Sequence, residues 1–121
     1  MSRVVKTGQG WRVGWDASAP EFPALVGTED WAIELTEAEF QDFCYLAGQL
    51  DRTMQAMAEE LMDEEGICCE LETDHLWLEA EGFPHAYSLR LILNGGRRAE
   101  GFWAAEGVTT FLQALESLQV F

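Results

Sequence analysis

The chain contains 121 residues, of which 48% are apolar and 12% aromatic, and its formal net charge is −15. A chain of this length suits a single domain, and its apolar content excludes an intrinsically disordered segment. The negative charge opposes approach to phosphate backbones and anionic lipid, so it disfavours nucleic acid as a partner and excludes a membrane-surface protein. No apolar run approaches the roughly 20 residues that a membrane-spanning helix needs.

Residues 1–10 lack the apolar segment of a signal peptide, so we expect a cytoplasmic protein. The three cysteines, Cys44, Cys68 and Cys69, agree with a reducing compartment because their number is odd and two of them are adjacent. No stretch rich in Gly, Ser or Pro divides the chain. Residues 1–121 are therefore predicted to form one domain.

Short strand-like segments dominate the first part of the chain. Apolar and polar residues alternate over residues 11–16, and residues 25–27 and 31–35 look like further strands. Pro20 and Pro23 mark the loop between the first two of these segments. The pattern predicts three strands before the first helix.

A long helix is predicted to begin at Thr36. The tetrapeptide from Thr36 to Glu39 matches the capping box, in which each residue's side chain accepts a hydrogen bond from the other's backbone N–H. We predict that the helix runs to about Glu65 and stops at Gly66. Steps of three and four residues place seven apolar side chains on one helical stripe: Phe40, Phe43, Ala47, Leu50, Met54, Met57 and Leu61.

Two environments would bury this stripe. One long helix between strand-rich segments usually covers the sheet of its own domain, and we favour that packing. A regular repeat of three and four residues is also what pairing between two helices requires. A homodimer formed through the same stripe therefore stays an alternative.

Alternation resumes in the second half of the chain. Residues 67–72, 76–81 and 87–93 each have a period of two, and a fourth strand is predicted to follow the turn at residues 94–96. A second helix is predicted from Ala105 to Gln119, with its apolar stripe formed by Val108, Phe111, Leu112, Leu115 and Leu118. The fold class is thus α+β, with antiparallel strand meanders each followed by a helix.

The length of the turn at residues 94–96 sets the register of the last two strands. A three-residue loop places Leu89 opposite Gly101 and leaves Arg90 paired with Glu100 on the other face. A two-residue loop would instead set Leu89 against Glu100, which puts a carboxylate on the apolar side. We therefore predict the three-residue loop.

No motif for catalysis or for a cofactor is present. His75 and His85 do not have the spacing of a zinc site, and no serine or cysteine has the context of an activated nucleophile. The glycine pairs at residues 8–10 and 94–96 lack the residues of a phosphate-binding loop. We expect no enzyme activity, no cofactor and no metal.

Tryptophans on predicted strands are the least ordinary feature of the sequence. Aromatic side chains beside arginines can stack and neutralise single-stranded nucleic acid, although packing in the core explains most tryptophans in strands. Trp77 alternates with Leu76 and Leu78, so it is expected to face away from the core. The candidate binding surface consists of Trp11, Arg12, Trp77, Arg90, Arg97 and Arg98.

Several short segments spread over nearly the whole chain carry a resemblance to a known family. They are Gly10–Asp16, Phe22-Pro23, Leu25–Gly27, Trp31-Ala32, Glu34–Thr36, Leu61-Met62, Glu64-Glu65 and Glu100–Trp103. In these segments the chain resembles a small uncharacterised cyanobacterial family. The resemblance implies a fold grouped with the single-stranded-DNA-binding transcriptional regulators, namely the Whirly proteins and the positive cofactor four coactivator, and it implies no catalytic residues.

These observations favour a non-enzymatic binding or regulatory module that recognises a protein partner through an aromatic sheet face. A single-stranded nucleic-acid binder that uses Arg12, Arg90, Arg97 and Arg98 with Trp11 or Trp77 is the alternative. A small enzyme with an unrecognised carboxylate site is a third. The relatives that bind DNA present basic surfaces, whereas this chain is acidic.

Overall fold

Two four-stranded antiparallel sheets, each followed by a helix, account for the regular structure in the computed structural model, which describes residues 3–60 and 65–118. The first sheet has the order β1-β2-β3-β4 and the second has the order β5-β6-β7-β8, so each is a simple meander. The predicted fold class is confirmed. The elements are β1 (Arg3–Gly8), β2 (Trp11–Asp16), β3 (Ala24–Gly27), β4 (Ala32–Leu35), α1 (Glu37–Met57), β5 (Ile67–Glu72), β6 (Leu76–Phe83), β7 (Ala86–Leu93), β8 (Glu100–Trp103) and α2 (Ala105–Leu118).

The capping box at the start of α1 is confirmed. The Thr36 hydroxyl accepts from the Glu39 N–H at 3.1 Å, and the Glu39 carboxylate accepts from the Thr36 N–H at 2.8 Å. The apolar stripe from Phe40 to Met54 is buried against the second sheet, chiefly against β5 and β6. Packing on the chain's own sheet is therefore what the structure shows for this stripe.

The predicted end of α1 is wrong, because the helix ends at Met57 and a turn follows over residues 58–60. The last turn contains no basic residue, and Glu59 and Glu60 follow it directly. Carboxylates at this position oppose the helix dipole, so continuing the helix would be unfavourable. Leu61, the last member of the predicted stripe, lies outside the described residues, as does Gln119 at the predicted end of α2.

Aromatic rings at the centre of the core join the two sheets and the two helices. The Trp103 ring lies 5.0 Å from that of Phe111 on α2 and 5.6 Å from that of Phe43 on α1. The indole N–H of Trp103 donates to the Gly27 carbonyl at 2.9 Å, which ties β8 to β3. The α2 helix packs on both β7 and β2. Both helices therefore lie on the inner faces of the sheets, and the opposite faces are turned outward.

The first strand, β1, was not predicted. It pairs with β2 at the edge of its sheet, where Val4 and Val5 are 44% and 49% exposed. A strand with both faces largely open to solvent lacks the alternation that burial of one face would impose. The sequence pattern therefore carries no signal for it.

The register predicted for β7 and β8 is wrong by two residues. Leu89 lies opposite Trp103 and not Gly101, and the connecting loop comprises residues 94–98. A shift of two residues keeps every side chain on its predicted face, because successive side chains point to opposite sides. The expected contact between Arg90 and Glu100 is also retained as a diagonal ion pair at 2.7 Å.

Candidate interaction surface

Trp11 and Arg12 lie on β2 of the first sheet, and the side chains of both make contacts within the fold. Trp11 is only 6% exposed, its ring stacks on that of Phe111, and its indole N–H donates to the Thr110 hydroxyl at 2.9 Å. The Arg12 guanidinium donates to the backbone carbonyls of Thr28 and Trp31 at 2.5 and 3.1 Å. Trp11 is thus a core residue, and Arg12 supports the loop before β4.

Arg97 and Arg98 lie in the loop between β7 and β8. The Arg97 guanidinium donates to the Glu39 carboxylate at 2.5 Å and to the Glu34 carbonyl, and it stacks on the Phe22 ring at 4.6 Å. Arg97 is therefore engaged in holding the second sheet against the N-terminus of α1. Arg98 is exposed and has a positive φ of 52°.

Trp77 and Arg90 share the outward side of the second sheet with two further large side chains. The strand register places Ile92 opposite Trp77 and Phe102 opposite Arg90. Phe102 is 44% exposed, and Trp77 and Ile92 are half-buried. We call this the outer aromatic face, and it comprises Trp77, Ile92, Phe102, Arg90, Glu70, Glu72, Glu79, Glu81 and Glu100.

Carboxylates dominate the charge of the outer aromatic face. Its only cation, Arg90, lies 5.3 Å from the centre of the Phe102 ring and pairs with Glu100 at 2.7 Å and with Glu79 at 4.0 Å. Five glutamates thus surround three apolar side chains with a single guanidinium to offset them. The arrangement attracts positive charge and repels phosphate.

The Cys68 thiol adjoins this face and responds to its charge. Its Sγ lies 3.2 Å from the Glu79 carboxylate. The hydrogen bond to Glu79, together with desolvation and the charges of Glu79, Glu81 and Glu70, raises the pKa of Cys68 to about 11. The thiol therefore stays protonated near neutral pH, which makes it a poor nucleophile and a poor metal ligand.

Residues 6–118 match the family model of the domain of unknown function DUF1818. The chain belongs to the DUF1818 family. It is also similar to a crystal structure of a protein of unknown function from the DUF155 family of Prochlorococcus sp. NATL2A, with 32% identity and a TM-score of 0.89. That match covers 95% of this chain and 98% of the other. No curated protein matches the chain.

The DUF1818 chain shows no metal-binding cluster of three or more His, Cys, Asp or Glu side chains within residues 3–60 and 65–118. Over the same residues, no helix is long and apolar enough to cross a membrane. His75 and Asp42 form a pair, with Nδ1 and Oδ2 2.7 Å apart. The pair joins the turn between β5 and β6 to α1 and is half-open to solvent.

Sequence reasoning on this family member missed Ile92, Phe102 and the glutamates as parts of the surface. The period of two over residues 87–93 already places Arg90 and Ile92 on the side opposite Leu89 and Leu91. The same reasoning applied to β5, β6 and β8 would have identified the carboxylates and Phe102. The signal was therefore present in the alternation of the outward residues.

Proposed function

We propose that the protein is a binding module without enzymatic activity that recognises a protein partner through the outer aromatic face. The observation that carries this proposal is the position of Trp77, Ile92 and Phe102 at the centre of a sheet surface that neither helix covers. Exposed aromatic side chains surrounded by polar residues are typical of protein interfaces. Trp77 is the expected anchor because tryptophan is enriched among residues that dominate binding energy.

The charge of the face indicates the chemistry of the partner. Glu70, Glu72, Glu81 and Glu100 are exposed around the apolar centre, and Arg90 is already paired with Glu100. A partner segment that combines apolar side chains with lysine or arginine complements both features. An acidic protein or a phosphate backbone would meet repulsion at the same surface.

Synthetic peptides test this proposal directly. A labelled peptide of alternating lysine and leucine, and its counterpart with glutamate in place of lysine, are titrated with the protein and followed by fluorescence anisotropy. We expect the lysine peptide to bind and its affinity to fall as salt screens the glutamates. Trp77→Ala should weaken this binding by roughly tenfold or more, as for other central aromatic residues of interfaces.

The matched control is Val5→Ala, which removes an exposed apolar side chain from β1 and leaves the outer aromatic face intact. It should bind the lysine peptide as the unmodified protein does. Equal binding by Trp77→Ala and the unmodified protein, or a preference for the glutamate peptide, would contradict the proposed face.

Single-stranded nucleic acid remains the alternative ligand, on the basis of the family resemblance. The arginines proposed for it belong to different elements: Arg12 to β2, Arg90 to β7, and Arg97 and Arg98 to the loop after β7. A labelled single-stranded oligonucleotide tests this alternative. Binding at low salt that falls steeply as salt is added, and that replacement of the exposed Arg98 by alanine weakens, would favour it.

We further propose a cyanobacterial origin, a cytoplasmic location and kinship with the Whirly-like regulators. The two meander-and-helix units support the kinship, and the similarity to the Prochlorococcus protein supports the origin. The three cysteines, which are all free thiols in the structure, support a reducing compartment. A superposition on a Whirly protein that fails to align both sheets with both helices would contradict the kinship.

A further inference from the structure

A groove of about 620 Å³ runs between α1 and α2, away from the outer aromatic face. Cys44, Ala47 and Gly48 of α1 line it together with Leu112 and Leu115 of α2. None of its residues belongs to the nine that form the outer aromatic face. It is therefore a second, separate surface whose occupant has to be inferred from its own features.

Gly48 lines this groove without a side chain of its own. It lies in the middle of α1, where glycine is the poorest helix former after proline. A Cβ atom at this position would meet only the tips of the Arg52 side chain, at 3.7 and 3.8 Å. Packing within the chain therefore does not require a glycine at position 48. Apart from the flexible Arg52 side chain, nothing within 4 Å occupies the space above Gly48, so a group that approaches from outside can enter it.

A side chain that fits this space stands beside it on the same helix. Tyr45, one turn before Gly48, lines the groove and is 61% exposed, the largest exposure among the large apolar side chains of the described residues. Its hydroxyl accepts a hydrogen bond from Gln49 at 2.9 Å, which holds the ring in a defined orientation. A protruding ring and an empty groove on one surface make that surface complementary to a second copy of itself.

The charges along the groove have the same self-complementary pattern. Arg52 is exposed and forms no ion pair with any residue that the structure describes. Asp51, which accepts a hydrogen bond from the Tyr87 hydroxyl, and Glu116 of α2 line the same groove. A two-fold axis that brings Tyr45 to the partner's groove also brings Arg52 towards carboxylates of the partner.

We propose that this groove is a self-association surface, in which Tyr45 of each copy enters the groove of the other above Gly48. The contact is isologous, so it closes with two copies and produces a symmetric dimer. It does not rest on the function proposed above, because it uses none of the residues of the outer aromatic face. The apolar stripe of α1 from Phe40 to Met54 takes no part in it, since the stripe is buried within one chain.

Sedimentation velocity from low to high micromolar concentration tests the dimer. We expect the unmodified protein to shift from the mass of one chain to twice that mass as its concentration rises. Gly48→Leu fills the groove, and Tyr45→Ala removes the ring that enters it, so both variants should stay monomeric over the same range. The matched control is Ala56→Leu, which adds the same side chain at an exposed position of α1 outside the groove and should dimerise normally.

A second variant separates loss of the interface from loss of the fold. Gly48→Ala improves the helix propensity of α1 and meets no obstacle inside the chain, so it should raise the midpoint of thermal unfolding of the monomer. The same methyl group occupies the space that Tyr45 of the second copy needs, so the dimer should dissociate at lower concentration. A more stable fold with a weaker dimer is a result that simple misfolding cannot give.

Two results would overturn the proposal. The unmodified protein could sediment as a monomer at every concentration, or Gly48→Leu and Tyr45→Ala could both leave a dimer intact, which would locate the contact elsewhere. Trp77→Ala should leave the mass unchanged. If Trp77→Ala no longer binds the lysine peptide but still dimerises, the two surfaces act independently. The two proposals can then be tested separately.

Discussion

The outer faces of the two sheets differ in how they use an arginine that points away from the core. On the first sheet, the guanidinium of Arg12 is held by two backbone carbonyls, so the side chain is part of the fold. On the second sheet, Arg90 forms ion pairs with Glu79 and Glu100 and lies over the Phe102 ring, and all three partners belong to the outer aromatic face. The same meander therefore supports a structural surface in one half and the proposed interaction surface in the other.

This difference follows from what surrounds each sheet. The loop before β4 turns the carbonyls of Thr28 and Trp31 towards Arg12, and buried or half-buried carbonyls need a donor. The strands around Arg90 satisfy their own backbone groups by pairing on both sides. Side chains on that face are consequently not needed to satisfy backbone groups and can contact a partner. Which partner they would bind depends on the local side-chain chemistry and not on the fold.

The largest expected effect concerns the contact that joins the two halves. Arg97→Ala removes the partner of the buried Glu39 carboxylate and the ring contact with Phe22. Breaking such a pair leaves a buried charge uncompensated, and we expect a loss of about 2 to 3 kcal/mol in the free energy of unfolding. Urea denaturation measures it. Arg98→Ala is the control in the same loop and should stay within about 0.5 kcal/mol, because Arg98 is exposed; equal losses would contradict the role of Arg97.

The next prediction concerns the negative field of the outer aromatic face. Glu79→Gln removes the carboxylate that holds the pKa of Cys68 at about 11, so the thiolate fraction should rise. Alkylation of Cys68 by iodoacetamide at mildly alkaline pH should accelerate by roughly tenfold or more, because only the thiolate reacts. Mass spectrometry of the Cys68 peptide measures the rate.

Glu81→Gln is the matched control for this experiment, since Glu81 contributes charge but no hydrogen bond to the thiol. It should accelerate alkylation much less than Glu79→Gln does. Equal acceleration by the two variants would show that the general charge of the face, and not the contact with Glu79, suppresses the thiolate.

A direct comparison of the two outward arginines sharpens the contrast between the sheets. Arg12→Ala leaves the Thr28 carbonyl without its donor, while the Trp31 carbonyl keeps the Thr28 N–H, and we expect the free energy of unfolding to fall by about 1 to 2 kcal/mol. Arg90→Ala should change it by less than about 0.5 kcal/mol, because exposed ion pairs contribute little. Urea denaturation of both variants provides the test. Similar losses would mean that the two faces do not differ in this way.

Local signals in the sequence predicted much of this fold. The start of α1 was correct because the capping box needs only the neighbouring residues from Thr36 to Glu39. The strands with one buried face were correct because burial imposes alternation on them. The predicted register of β8 was wrong because the loop comprises residues 94–98 and not three residues, and its Arg97 contacts Glu39 and Phe22, which are distant in sequence.

The candidate surface was predictable in part for the same reason. Alternation correctly indicated that Trp77 faces opposite Leu76 and Leu78, since β6 contains all three. Alternation could not indicate that Trp11 faces α2. A period of two shows which residues share a face of a strand, but it does not show which of the two faces a helix covers. The surroundings of the arginines depend on contacts between distant elements, such as that of Arg97 with Glu39, so the sequence pattern could not indicate them.

The smallest expected effect concerns the exposed pair of His75 and Asp42, which joins the second sheet to α1. The hydrogen bond to Asp42 raises the pKa of His75; burial alone would raise the pKa of Asp42, but its hydrogen bonds with His75 and Thr73 lower it. The contribution of His75 to stability is fully present below its ordinary pKa of about 6.5 and is lost as pH rises through the raised value. The contribution of Asp42 is lost as pH falls through its lowered pKa.

The pair should therefore stabilise the fold most at mildly acidic pH, by less than about 1 kcal/mol because both side chains are partly exposed. Thermal unfolding of the unmodified protein and of His75→Gln, from acidic to alkaline pH, measures the difference. The two midpoints should diverge below neutral pH and converge above the raised pKa of His75. His85→Gln removes the other histidine and should follow the unmodified protein throughout. A constant difference between His75→Gln and the unmodified protein at every pH would mean that the contact acts through packing and not through charge.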